Sequence, residues 1–168
     1  MYFGWQPLRD IGGPKTLCRG YFICARMDDD TDTQLTDLAL ERLKTGGPDF
    51  AFLYQVETDQ KGGHDFGWMT KEYLHQIHVA IENVKRVYEL AGHDHTIIVT
   101  ADHGGHDRIH GSQMDEDMII PTFFIGPRFT PGKKLEGVSI MDIAPTVADV
   151  MGVPVPEEWE GKSLANQE

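Results

Sequence analysis

The stretch "TADHGGHDRIHG", residues 100–111, gathers three histidines and two aspartates into twelve positions directly after the apolar run "TIIV". Imidazole and carboxylate together are what a borderline divalent ion takes, zinc first, with manganese, iron or cobalt as alternatives. A second polar segment, "ETDQKGGHDFGWM", residues 57–69, offers Asp59 and His64. The longer stretch offers Asp102, His103, His106, Asp107 and His110. One tetrahedral catalytic zinc uses three protein ligands, so the surplus suits two ions about 3.5–4 Å apart, the arrangement of a phosphoester displacement. Neither segment holds a thiol, which sets aside a structural cysteine site.

A surface histidine is ordinarily no more than a polar side chain, so context has to single out ligands. His103 follows Asp102 in "ADHGG", where glycines let the backbone turn sharply at a strand end; His110 precedes Gly111, and His64 lies between Gly63 and Gly67. His75, His78, His93 and His95 fall on a helix or its exit turn and read as solvated. His106 and Asp107 fit metal ligation, but orienting the ligands from behind is the preferred role. Arg108 has two open roles, neutralising a substrate phosphate or pairing with a nearby acid.

The elements that must carry these loops follow from periodicity. "DTQLTDLALERLKTGGPDF" places Leu35, Leu38, Ala39 and Leu43 on one face after a Thr/Asp-rich cap and stops at Gly46-Gly47-Pro48, predicting an amphipathic helix. "DFAFLYQV" and "HTIIVT" read as buried strands, each running into one of the polar loops. Between them "TKEYLHQIHVAIENVKRVYELAG" repeats Tyr73, Ile77, Ile81, Val84 and Tyr88, with Thr70 to cap and Gly92 to terminate. "MIIPTFFIG" gives a third strand that Pro121 demotes towards an edge. "SIMDIAPTVADVMG" gives a last helix with Ser139 or Asp142 as cap and Pro145 near its first turn. Helices alternating with strands predict an α/β fold, in which ligands bind beyond the carboxyl ends of strands; both loops then face one site.

Composition narrows the function classes. With 168 residues, 40% of them apolar and 25% charged, the chain supports a sizeable core and reads as one domain. A net charge of -12 without a Lys/Arg cluster excludes a nucleic-acid groove. Cys18 and Cys24 read as reduced structural thiols, and neither a membrane segment nor a leader peptide is evident. A cytoplasmic location is the corresponding expectation. Residues 1–30 show no helix or strand period and read as an irregular connecting or insertion region ahead of a metal-binding core, residues 31–168.

From "PDFAFLYQVETD" to "EEWEGKSL" the chain resembles the alkaline phosphatase superfamily, particularly its nucleotide pyrophosphatase/phosphodiesterase branch. The resemblance implies an alkaline-phosphatase-like mixed or parallel sheet flanked by helices, of which this chain is the C-terminal part of a larger α/β domain. It implies a two-zinc phosphoric ester hydrolase acting on a small phosphate ester or nucleotide. Asp59, His64 and His110 match the ligands of one ion, Asp102 and His103 those of the other, and the Asp-x-x-Pro-Thr helix is structural. The family spaces its first Asp and His by one residue fewer than "DQKGGH", which leaves Glu57 and Asp65 as substitutes for Asp59. The family's second zinc also takes an early aspartate, and its chemistry needs a Thr or Ser nucleophile at a helix start. Nothing ahead of "PDFAFLYQV" resembles either, so the chain alone is expected to be inactive and to need an N-terminal half. Sulfatase-like and phosphoglycerate mutase-like members of the same superfamily, and a degenerate metal-binding domain, are the alternatives.

Overall fold

The computed structural model describes residues 2–4, 20–22 and 30–166; Cys18 and Cys24 lie outside them. The described residues form two compact units, one drawn from Met1–Ala91 and His103–Ile119, the other from Gly92–Asp102 and Ile120–Glu168.

In the first unit, helix α1 (Thr31–Lys44) buries Leu35 and Ala39, with Leu38 and Leu53 packed against them. Its N-terminus is capped from far along the chain. Asp30, with φ 88°, supplies no side-chain cap. Instead the Glu57 carboxylate accepts the backbone N–H of Thr31 at 3.2 Å and of Asp32 at 3.4 Å. In return the Asp32 carboxylate accepts the N–H groups of Val56 and Glu57, each at 2.9 Å. Orphan donors at a helix start are thereby satisfied, and α1 is fastened to the chain two residues ahead of Asp59. Burial raises the Asp32 pKa to about 6; the two N–H bonds oppose this and the neighbouring Glu57 charge adds to it.

Strand β3 (Phe52–Leu53) pairs in parallel with β1 (Tyr2–Gly4), and β2 (Gly20–Phe22) flanks β1 on its other side, giving the order β2-β1-β3. Two of these strands come from the stretch expected to be irregular; at three residues each they are too short to leave an alternation. The buried strand expected from "DFAFLYQV" shrinks to two residues. Leu53 faces α1, while Phe52 on the opposite face is 44% exposed, so the strand is covered on one side only.

Helix α2 (Lys71–Ala91) begins and ends where its signals predict: the Thr70 hydroxyl accepts the Tyr73 N–H at 3.2 Å, and Gly92 follows with φ 66°. Its most buried residues are polar. Gln76 and Asn83 are buried, Asn83 donating to Gln55 at 3.1 Å, whereas Ile81, expected on the apolar face, is exposed.

In the second unit β4 (Ile97–Thr100) and β5 (Thr122–Ile125) pair antiparallel, from Ile97 opposite Ile125 to Thr100 opposite Thr122. Pro121 precedes β5, so its missing N–H costs the ladder nothing. A 3₁₀ turn (Ile140–Asp142) leads into helix α4 (Ile143–Val150). Ser139 and Asp142 cap this start reciprocally. Asp142 also accepts the Lys162 N–H at 2.9 Å and Thr146 accepts the Leu164 N–H at 3.0 Å. The side chains of the Asp-x-x-Pro-Thr motif are thus occupied in fastening the tail. No helix among the described residues is long and apolar enough to cross a membrane.

Candidate metal centre

Residues 57–67, expected as a loop, form a π-helix over Thr58–Phe66. At its end the Gly67 N–H reaches the carbonyl of Gly62, five residues back, at 3.1 Å as well as that of Gly63 at 2.7 Å. In a π-helix residues five apart stack one turn above another, as residues four apart do in an α-helix. The extra residue in "DQKGGH" is therefore absorbed by a wider turn, and Asp59 and His64 share a face. Glu57 is committed to the α1 N-terminus, and neither it nor the exposed Asp65 belongs to the cluster of donor atoms that Asp59 forms with His64 and His110.

Across from this turn runs the loop 103–114, held at both ends. The N–H groups of Gly104 and Gly105 donate to the carbonyls of Asp117 and Glu116, each at 2.8 Å. A Cβ on Gly104 would lie 2.0 Å from the Glu116 carbonyl oxygen, so only glycine permits this approach. His106 and Ile109 exchange backbone hydrogen bonds at 3.0 and 2.9 Å. His106 Nδ1 donates to Asp117 Oδ1 at 2.8 Å, and Asp117 Oδ2 accepts the Ser112 N–H at 2.7 Å. The His106 bond is the largest influence drawing the Asp117 pKa down to about 2, and the same bond raises that of His106. Asp117, on the short helix α3 (Asp115–Met118), is 3% exposed and both its oxygens are in use.

The turn and the loop bring three side chains together. Asp59 Oδ1 stands 3.5 Å from His64 Nε2 and 3.6 Å from His110 Nε2, and one donor atom of each residue lies within 4.8 Å of the others. His64 Nδ1 lies 3.0 Å from the Arg108 carbonyl. A carbonyl can only accept, so Nδ1 carries a proton, and in the neutral ring Nε2 turns its lone pair towards Asp59. Asp59 Oδ2 takes a hydrogen bond from Gln60 at 2.8 Å. Asp59 Oδ1, by contrast, is buried and takes none among the described residues. The Tyr73 pKa is raised, first by burial and then by the Asp59 charge. A divalent cation fits this donor set: a carboxylate oxygen without a donor faces an imidazole lone pair, and both gain from positive charge between them.

The other residues singled out in the sequence are placed differently. The His103 ring stacks on that of His110, centroids 3.8 Å apart, and its Nδ1 donates to the Gly104 carbonyl at 2.7 Å, beside the triad rather than in it. Asp102 is exposed and belongs to the second unit. His106 is turned to Asp117, and Asp107, with φ 47°, accepts the Trp68 N–H through its carbonyl at 2.8 Å. Arg108 reaches the site through its carbonyl; its guanidinium forms no ion pair among the described residues. His75, His78 and His95 are exposed as expected, and the side chain of His93 lies outside the described residues. Sequence reasoning missed Asp117, which in the run "DED" carries no periodic or motif signal.

Comparison with known proteins first defines the class. The chain matches a protein described as a putative sulfatase from Bacteroides thetaiotaomicron VPI-5482 with a TM-score of 0.63 at 18% identity, covering 99% of this chain and 55% of that one. A 2-O GAG sulfatase matches at 0.60 and 18%, covering 97% and 52%. At that identity the likeness shows the fold, an α/β fold of the sulfatase kind. The sequence model of the metalloenzyme superfamily then matches residues 23–155, and the chain belongs to that superfamily. Its curated relatives include 2,3-bisphosphoglycerate-independent phosphoglycerate mutases. That of Clostridioides difficile (strain 630) is 27% identical over 141 residues, 80% of this chain and 27% of that protein. That of Clostridium acetobutylicum is 30% identical over 137 residues, 78% and 26%. The chain thus spans about a quarter of the length of these relatives. Membership of a metalloenzyme superfamily implies divalent metal ions, and the relatives lend no specific support to the nucleotide pyrophosphatase branch.

Proposed function

We propose that this chain carries the metal-binding part of an enzyme that cleaves or transfers a phosphate ester, with Asp59, His64 and His110 holding one divalent ion, most suitably zinc. The observation that carries this reading is the buried Asp59 Oδ1, which takes no hydrogen bond among the described residues and lies 3.5 and 3.6 Å from two imidazole nitrogens. A charge-assisted acid–imidazole hydrogen bond would close to about 2.8 Å. Bonds of about 2.0–2.2 Å to a shared tetrahedral ion instead hold donors about 3.3–3.6 Å apart. When bound, such an ion supplies electrophilic stabilisation of ester oxygens and acidifies water.

Asp102 and His103, adjacent in the sequence, are assigned to a second ion on the family resemblance. His106, Asp107 and Arg108 serve the loop that presents His110. Between a phosphodiesterase or nucleotide pyrophosphatase and the alternative within the superfamily, the relatives favour the alternative. Its sequence relatives are phosphoglycerate mutases, while the sulfatase likeness is one of fold, which favours phosphate over sulfate. In this reading a Thr or Ser nucleophile comes from an N-terminal half, the substrate is a small phosphate ester, and the setting is the cytoplasm.

The test is an assay of the zinc- or manganese-loaded chain against p-nitrophenyl phosphate, bis(p-nitrophenyl) phosphate and p-nitrophenyl sulfate. The expected result is metal bound by the chain without turnover, and monoester hydrolysis once a nucleophile-bearing half is supplied. A preference for the diester or the sulfate, or turnover by the chain alone that His110→Ala abolishes, overturns the assignment.

A further inference from the structure

Two glycines beside the candidate ligands are not explained by backbone conformation. Neither Gly63 nor Gly105 has a positive φ, unlike Gly67 and Gly111. What they share is Trp68. A Cβ on Gly63 would lie 2.4 Å from the indole Cη2, and a Cβ on Gly105 would lie 2.2 Å from its Cε2. The indole therefore occupies room that any other residue at either position would close, one glycine on the π-helix and the other in the facing loop. Its ring also meets one imidazole from each side: centroids lie 5.4 Å from His64 at an interplanar angle of 83° and 6.0 Å from His110 at 69°. The main chain of Trp68 is itself fixed, its N–H donating to the Asp107 carbonyl at 2.8 Å.

We infer that Trp68 is a positioning residue of the metal centre: wedged between the Gly63 and Gly105 backbones, it sets the orientation of the His64 and His110 rings and the distance between the two segments that present them. The inference rests on the metal reading above. Indole Nε1 is a donor without an available lone pair, so Trp68 acts through the imidazoles and not on the ion. Edge-to-face contacts of aromatic rings are directional, which suits them to holding an imidazole plane. Partners of metal-binding histidines commonly matter about 10–100-fold in affinity when removed.

Cobalt(II) titration followed by visible absorption tests this on the intact chain, because the band reports coordination geometry as well as affinity. Trp68→Ala is expected to weaken cobalt binding about tenfold or more and to change the band at saturation, with Trp68→Phe keeping much of both. Gly105→Ala is expected to mimic Trp68→Ala in the wild-type background, yet to cost less than about twofold once Trp68 is already Ala, since the two changes share one contact. Circular dichroism of the metal-free variants monitors folding; if Trp68→Ala does not fold, Trp68→Phe and Gly105→Ala carry the test. A wild-type affinity and band in Trp68→Ala, or an equal cost of Gly105→Ala with and without Trp68, overturns the inference. Failure of the wild-type chain to bind cobalt removes the metal reading itself, and the role of Trp68 falls with it.

Discussion

Asp59 and Asp117 are carboxylates of the same unit, one on the π-helix and one closing the facing loop, and they are treated in opposite ways. Asp117 has both oxygens occupied, by His106 Nδ1 and by the Ser112 N–H. Asp59 has one oxygen bonded to Gln60 and one buried without a donor among the described residues. A buried acceptor left open costs on the order of 1–3 kcal/mol, a cost absent when protein groups saturate it. The contrast separates structure from proposed function: Asp117 is complete within the fold, whereas Asp59 keeps one oxygen open among the described residues, as the proposed metal ion requires.

The sharpest way to break that contrast is to neutralise each in turn. Asp59→Asn is expected to weaken zinc binding by at least about a hundredfold in calorimetry while leaving the thermal midpoint of the metal-free chain level or slightly higher. Asp117→Asn is expected to do the reverse, lowering the midpoint by several degrees and affecting zinc only secondarily. Equal effects of the two substitutions on both readouts would erase the distinction.

Titration refines it next, because the buried carboxylate of Asp32 is shifted in the opposite direction to that of Asp117. Its folded pKa is raised from 3.8 to about 6, chiefly by burial, so the stability it contributes is present in acid and is lost as pH rises from about 4 through 6. Asp117 is lowered from 3.8 to about 2, so its contribution is full above 3.8 and is lost as pH falls towards 2. His106, raised above 6.5, adds stability that is full below 6.5 and disappears as pH climbs through its folded value. Denaturant melts of the metal-free chain across pH 2–8 should therefore show Asp32→Asn removing a decline between about 4 and 6, and Asp117→Asn removing one at the acid end. The smallest expected effect is that of Asp65→Asn, an exposed neighbour of His64, which should change zinc affinity less than about twofold.

Much of this was legible in the sequence. The α2 boundaries followed from Thr70 and Gly92, because caps act locally. That Asp59, His64 and His110 are candidate donors was legible from the glycine context of the two histidines and from the family resemblance, and the structure brings the three together. The wide turn was not, since periodicity cannot separate an inserted residue that displaces a ligand from one that a π-helix absorbs. Nor was the Asp32–Glu57 exchange, which joins residues 25 positions apart through backbone groups. The brevity of β3 escaped for a related reason: an apolar run records affinity for a cover, not whether one face lacks it.

X-ray absorption at the zinc edge of the loaded chain tests the central claim most directly. The account predicts nitrogen and oxygen scatterers at about 2.0–2.1 Å with two imidazoles per zinc at the first site, reduced by one in His110→Ala. Sulfur scattering at about 2.3 Å, which would draw Cys18 or Cys24 into the site, or a zinc environment indifferent to His110→Ala, would contradict it.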